Sequence, residues 1–261
     1  MTLPPAPDGF RWTREPWGAA LRCVALETVA PHLFGTRLPA FTSGDELTSV
    51  AAAIGAAQVA TVTQVHGSDV VEVTATGPLP EPSREADALI STRVDVAVAV
   101  RTADCVPLLL ADRRRGTVAA VHAGWRGTAA GVAGATLDAM GRRFGTRPSD
   151  LAVAIGPSIG PCCYEVGSDV VDAFAAAGHE RHLIQRWFAT PPPPRGSRGR
   201  AVLRLNVAAA NRDQLVLAGV PEDQIVVAAL CTAMHLEALT SYRVERERAG
   251  RMLAAIRPRH V

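Results

Sequence analysis

Short apolar runs, punctuated by glycine, proline and aspartate, dominate the middle of the chain. Residues 94–101 (VDVAVAVR) alternate small polar and apolar positions, and the chain turns wholly apolar after Pro107. Residues 117–121 (TVAAV) and 151–155 (LAVAI) are short, rich in β-branched side chains and bounded by Gly or Asp. Both predict buried strands. Residues 128–144 are alanine-rich, with Val132, Leu137 and Met140 at helical spacing. Residues 168–176 open on a serine suited to capping an amphipathic run. Residues 205–217 predict a third helix, stopped by Gly219 and Pro221. Strand and helix signals in alternation predict a mixed α/β fold around a sheet-built core. Strand order is not encoded in this pattern.

The 261 residues are 48% hydrophobic and 20% charged. Those fractions belong to an ordinary globular protein and exclude wholesale disorder, a collagen-like repeat and a small disulfide scaffold. Charge narrows the partners: a formal net charge of +2 is too balanced for a protein living on bulk nucleic acid or an anionic membrane. Every basic residue is arginine, so lysine Schiff bases and phosphate-loop lysines are excluded; a compositional bias accounts for the bias itself. The first residues, MTLPPAP, lack the basic start and apolar run of a signal peptide. The apolar runs are too short to span a bilayer. Cys23, Cys105, Cys162, Cys163 and Cys231 are scattered without a disulfide framework, which fits a reducing cytoplasm. No internal repeat is visible, so residues 1–261 read as a single domain. Residues 191–200 (PPPPRGSRGR) depart from globular composition and read as an exposed, solvated Pro/Arg-rich loop.

Three segments carry a potential metal ligand beside a glycine or a strand end: Gln64-Val65-His66-Gly67, Ala103-Asp104-Cys105, and His122-Ala123-Gly124-Trp125-Arg126-Gly127. Two imidazoles and a thiolate suit Zn²⁺ and leave a fourth position for water. Spacings of 39 and 17 residues are not those of a zinc finger, so the fold would have to assemble the site. The bland alternatives are a buried cysteine at a strand end and turn or core histidines.

The run QVHG, ADC followed by P-LLL, HAGWRGT, IGPSIGPCCYEVG and a late CT…SYR…GR resembles the YfiH (DUF152) family. The resemblance extends from about His32 to about Arg257. It implies an α/β fold of layered mixed β-sheets flanked by helices, distantly similar to bacterial cytotoxic necrotizing factors. Members are described as laccase-like multicopper polyphenol oxidases and as purine nucleoside phosphorylases with adenosine deaminase activity. The implied metal ligands are His66, Cys105 and His122, for zinc or alternatively copper. The early H-x-F-x-T-R segment looks like His32 to Arg37, making Arg37 a candidate active-site arginine. Many members carry two consecutive arginines where this chain has Arg243 and Val244, which puts the second arginine's role in doubt.

Phosphorolysis needs a phosphate held against the ribose and a purine that leaves with its charge stabilised. Arg37 and Arg126 are candidates for those contacts, because a guanidinium forks onto phosphate oxygens; a structural ion pair is the alternative for Arg126. Deamination needs an activated water at the purine. Asp104 is the expected carboxylate, moving a proton or orienting a ligand imidazole, with a turn role as its alternative. Asp87 is a weaker pocket candidate, better read as a turn residue. Trp125 can stack on a purine or pack in the core, and a helix from Thr128 would aim its N-terminus at phosphate. Cys162 and Cys163 are expected to pack rather than react; His179, His182, His235 and His260 are given no ligand role. The expected partners are adenosine, inosine, guanosine or methylthioadenosine together with phosphate, and neither nucleic acid nor membrane. Alternatives are a copper-dependent polyphenol oxidase, disfavoured because seven histidines are too few for a four-copper set, and a Cys105/His122 hydrolase acting on a peptidoglycan precursor. A non-enzymatic binding module is least consistent with the clustered Gly, His, Cys and Arg.

Overall fold

The computed structural model describes residues 2–37, 44–189 and 202–259. The proline- and arginine-rich segment 191–200 and His260 lie outside the described residues. The chain begins with β1 (Phe10–Glu15), β2 (Gly18–Cys23), α1 (Val24–Glu27), β3 (His32–Gly35), α2 (Gly44–Ala53), β4 (Gln58–Ala60) and β5 (Val70–Val73). It continues with β6 (Ala88–Ser91), β7 (Val96–Thr102), β8 (Val106–Asp112), β9 (Val118–Ala123), α3 (Trp125–Ala129), α4 (Val132–Phe144) and β10 (Leu151–Ile155). Then come α5 (Ser168–Ala176), α6 (Arg181–Trp187), β11 (Phe188–Ala189), β12 (Arg204–Leu205), α7 (Val207–Leu217), β13 (Ile225–Val227), α8 (Tyr242–Glu245) and β14 (Met252–Ile256).

Two six-stranded mixed sheets result. The first has the order β1-β2-β3-β14-β7-β4 and the second β13-β10-β8-β9-β6-β5. Pairing is antiparallel in the first except for β4 on β7. In the second, β13 on β10 and β5 on β6 are parallel.

The period-2 alternation of each central strand sends its side chains into two different cores. Val98 and Val100 of β7 join Leu109 of β8, Val118 and Ala120 of β9 and Ala152 of β10 in the layer between the sheets. The alternate residues of β8 and β10, Leu108, Leu110, Val153 and Ile155, pack beneath α4, α5, α6 and α7. Ala97 and Ala99 of β7 face the other way, onto Val50 and Ile54 from the α2 region. The order of layers is therefore helix, sheet, sheet, helices. Strands covered on both faces need no polar side, which is why β8 and β10 read as unbroken apolar runs.

The expected layered α/β fold is observed, with adjustments at element ends. The strand predicted at 94–101 runs Val96–Thr102, and that at 117–121 runs Val118–Ala123. Leu151–Ile155 is as predicted. The helix expected over 128–144 is two helices: α3 starts three residues earlier and ends at Ala129, and Gly131, in a left-handed conformation at φ 75°, separates it from α4. A five-residue helix that already begins at Trp125 does not aim a Thr128 N-terminus at the site. α5 begins at Ser168, but its cap position is Gly167 and no side chain caps it. α7 starts at Val207, with the Asn206 side chain accepting the Ala209 N–H at 3.0 Å. No helix among the described residues is long and apolar enough to cross a membrane.

Candidate functional site

The second sheet brings the three ligand segments to one edge. Pairing of β8 with β9 sets Val106 opposite Ala123, so Cys105 lies beside the exit of β9, where His122 sits. Pairing of β6 with β9 sets Ala88 opposite Val121, which puts Asp87 next to His122. β5 runs parallel to β6, and the loop leading into it carries His66. One ligand atom from each of His66, Cys105 and His122 lies within 4.8 Å of the other two. The thiol of Cys105 is 3.8 Å from His66 Nε2, and the two imidazoles meet edge to face.

The local backbone is shaped for this convergence. His66 has φ 61° and Asp104 has φ 85°, left-handed values that cost a non-glycine residue energy. The buried carboxylate of Asp87 holds the first of these. It accepts the backbone N–H groups of Val65, His66 and Gly67 at 3.3, 3.0 and 2.6 Å. Its Oδ1 also lies 2.7 Å from His122 Nδ1. Asp104 is held differently: Thr232 Oγ1 donates to its Oδ1 at 2.5 Å and the Arg243 backbone N–H to its Oδ2 at 2.6 Å. The expectation that Asp104 orients a ligand imidazole is therefore corrected. Asp87 has that position, and Asp104 ties the Cys105 turn to the segments around Thr232 and Arg243.

Gly124 is required where the three groups meet. A Cβ there would lie 2.7 Å from His66 Cδ2 and 3.0 Å from Cys105 Sγ. Its φ of −70° is ordinary, so the demand is for space and not for backbone freedom.

Burial opposes ionisation of Cys105, but hydrogen bonds from His122 and His66 outweigh it and bring the thiol down to about 7. Burial also disfavours the charged form of His122, and the Asp87 and Cys105 contacts overcome it, holding the imidazole up to about 9. For Asp87, burial is again the largest influence and again outweighed; the His122 contact and the Gly67 N–H keep its carboxyl below the usual range. Without a metal, Cys105 and His122 approach a thiolate–imidazolium pair.

Two imidazoles and a thiolate suit zinc or copper. Asp87 takes Nδ1 of His122 and leaves Nε2 as the ligand atom, the arrangement in which an outer carboxylate fixes a ligand imidazole. The residues present therefore fit a metal ion. Such an ion supplies Lewis acidity and an acidified water.

His66, Cys105 and His122 line a cavity of about 1100 Å³. Trp125, Tyr164 and Tyr242 give it aromatic surface, and Arg101, Arg126, Arg243, Arg246 and Arg251 line it with positive charge. The Arg126 guanidinium lies 4.4 Å over the Trp125 ring, and Arg243 lies 5.2 Å from the Tyr164 ring centre. Trp125 is partly buried: it lines the cavity and also packs against the core beneath the helices.

Arg37 is not brought into this cavity. Its guanidinium pairs with Glu245 at 2.9 Å and donates to the Leu236 carbonyl, joining β3 to α8. Arg101 was missed from the sequence, where it looked like the polar end of a strand. Burial pushes its guanidinium below its ordinary range, and among the described residues that guanidinium has no hydrogen-bond partner. The aromatic and arginine rim is contributed by segments far apart in the chain, which leaves no local motif to read. His179 Nε2 donates to the Ala129 carbonyl at 2.9 Å, and His182 and His235 lie beside Glu180 and Glu237.

A family model described as multi-copper polyphenol oxidoreductase laccase matches residues 44–259. The chain belongs to this family, known also as YfiH or DUF152. The purine nucleoside phosphorylase YlmD of Geobacillus stearothermophilus is 38% identical over 199 residues, 74% of this chain and 69% of that one. Its crystal structure superimposes with a TM-score of 0.79 at 30% identity, covering 97% of this chain and all of the other. A purine nucleoside phosphorylase of Deinococcus radiodurans is 35% identical, over 89% of this chain and 90% of its own. The adenosine deaminase RL5, from an unknown prokaryotic organism, is 37% identical over 65% of this chain and 61% of its own. Family members thus carry names of the purine-processing kind, and this chain is an enzyme of that kind.

Proposed function

We propose that the chain is a zinc-dependent purine nucleoside phosphorylase with adenosine deaminase activity, accepting adenosine, inosine, guanosine and methylthioadenosine in the cytoplasm as a single-domain enzyme. The observation that carries this reading is the cavity itself. Its lining combines a two-imidazole, one-thiol cluster with three aromatic side chains, Trp125, Tyr164 and Tyr242, and several arginines. His66, Cys105 and His122 hold the metal, and Asp87 fixes the ring of His122. Trp125 stacks on the purine. Arg101 and Arg126 take the phosphate, where a guanidinium offers forked donors and permanent charge. Arg101 is the better placed of the two because its guanidinium is partly desolvated, with the charge of Glu46 as the opposing influence, so a bound anion adds to the stabilisation of a charge that burial disfavours.

In phosphorolysis the arginines hold phosphate against C1′ of the ribose as the glycosidic bond lengthens, and the departing purine takes a proton at nitrogen. Because His122 is held as a ligand through Nε2, with its Nδ1 on Asp87, that proton comes from water in the cavity and not from the ring. In deamination the same cavity holds the purine C6 near the ligand cluster.

Incubation with adenosine and phosphate, read for adenine and inosine, tests the assignment. Adenine dependent on phosphate, with inosine beside it, is the expected result, and Cys105→Ala that melts like the wild type abolishes both. Activity retained in Cys105→Ala overturns the reading. The depressed thiol of Cys105 favours a second reading, a metal-independent cysteine hydrolase. Electrophile labelling at Cys105 with peptidoglycan-precursor turnover indifferent to chelators is its signature.

A further inference from the structure

We propose that Cys162, Cys163 and Cys231 form a second metal site, an all-sulfur pocket for a soft monovalent cation, copper(I). Their three sulfurs lie within 4.8 Å of one another. They come from two separate segments, the turn after Pro161 and the exit from β13. Main-chain bonds fasten those segments together: Ser158 N–H to the Leu230 carbonyl at 3.2 Å and Thr232 N–H to the Ser158 carbonyl at 3.1 Å. The turn closes on itself, with the Cys163 and Tyr164 N–H groups both donating to the Gly160 carbonyl at 3.0 Å. The sulfurs are therefore presented by a braced scaffold.

Two further features suit sulfur that carries negative charge. The Gly160 backbone N–H donates to Cys231 Sγ at 3.2 Å, the kind of contact that stabilises a ligating thiolate. Gly160 also leaves the space the sulfurs use, since a Cβ there would meet Cys162 Sγ at 3.3 Å and Cys231 Sγ at 3.5 Å. The Arg204 guanidinium donates to the Cys162 carbonyl at 2.6 Å and brings a positive charge to the rim. Cys162 is exposed and Cys231 buried, which gives an ion a path inward.

The donor set selects the metal. Three sulfurs, with no imidazole or carboxylate joining the group among the described residues, match the soft ligand preference of copper(I). Zinc in a structural site takes four ligands. Neighbouring Cys162 and Cys163 form a disulfide only with strain, and such a bond would leave Cys231 unused. Binding releases thiol protons to solvent and changes no oxidation state.

The test uses the full chain carrying Cys105→Ala, which removes the sulfur of the first site. Copper(I) is supplied without oxygen and challenged with a strong copper(I) chelator, and retained copper and near-ultraviolet thiolate–copper absorption are read. One copper retained per chain is expected in Cys105→Ala, with both signals lost when Cys162→Ser and Cys163→Ser are added. Gly160→Ala is the second variant, expected to weaken retention while all three thiols remain; melting curves of the metal-free variants establish that each is folded. Failure of Cys105→Ala to retain copper(I), retention unaffected by loss of Cys162 and Cys163, or tighter retention of zinc(II) than of copper(I) would each overturn the proposal.

Discussion

His122 Nδ1 lies 2.7 Å from Asp87 Oδ1, and the carboxylate that makes this contact also accepts the N–H groups of His66 and Gly67. One buried side chain thus orients both imidazoles of the cluster, one through its ring and the other through its backbone. Asp87→Asn keeps the size and removes the charge. Metal affinity is expected to fall by about 10- to 100-fold, as for other outer-shell partners of ligand histidines, with nucleoside turnover falling alongside. Titration against a competing chelator measures the first and initial rates the second; unchanged affinity would mean that the contact is structural only.

Gly124→Ala puts a methyl group 2.7 Å from the His66 ring and 3.0 Å from the Cys105 sulfur. One of them must move. Overpacking of this kind costs about 1–3 kcal/mol, and a displacement of a few tenths of an ångström in a ligand cluster removes most of the activity. Denaturant melts and turnover measured together should show a folded protein with activity reduced by about 10-fold or more.

Arg101 gives a prediction of opposite sign for stability and for function. Its desolvated guanidinium lacks a hydrogen-bond partner among the described residues. Arg101→Gln is expected to leave the melting temperature unchanged or raised. The KM for phosphate is expected to rise by about 10-fold or more, since a charge-assisted contact of roughly 1.5–3 kcal/mol is lost. A phosphate KM equal to that of the wild type would remove Arg101 from the anion site.

His32 predicts the acid limit of stability. Its Nε2 accepts the Cys23 N–H at 2.9 Å, and its Nδ1 lies 3.0 Å from the Ala30 carbonyl, so the neutral ring with hydrogen on Nδ1 satisfies both. Burial lowers its pKa to about 4. The unfolded ring takes a proton near its ordinary value of about 6.5, whereas the folded ring does not. Its contribution is therefore intact above that value and is lost as pH falls towards 4, by about 3 kcal/mol. Urea unfolding from pH 7.5 to 4.5 is expected to show this slope, and His32→Gln to flatten it.

The same residues show what could be read from sequence. Leu151–Ile155 was legible to the residue because a strand buried on both faces is an unbroken apolar run. The split between α3 and α4 was hidden, since an alanine-rich periodicity continues through Gly131 and only its left-handed φ reveals the break. His66, Cys105 and His122 were legible as a candidate ligand set through the family resemblance, and the fold brings the three together. Asp104 was read as moving a proton or orienting a ligand imidazole because it adjoins Cys105, with a turn role as the alternative; the pairing of β6 with β9 puts Asp87 beside His122 instead. Arg37 fitted a motif and turned out to be an ion-pair partner of Glu245. Arg101 fitted no motif, since only the fold shows that it lines the cavity with its charge partly desolvated.

β14 lies between β3 and β7 in the first sheet, pairing with both. During synthesis, β1 to β3 and β4 with β7 can form only as two fragments with open edges, because the strand that joins them is made some 150 residues after β7. Such late, long-range pairing slows folding and leaves those edges available to other chains. A ribosome carrying this chain therefore holds an unfinished sheet until residues 252–256 emerge, and a chain cut before them should be lost to aggregation or proteolysis.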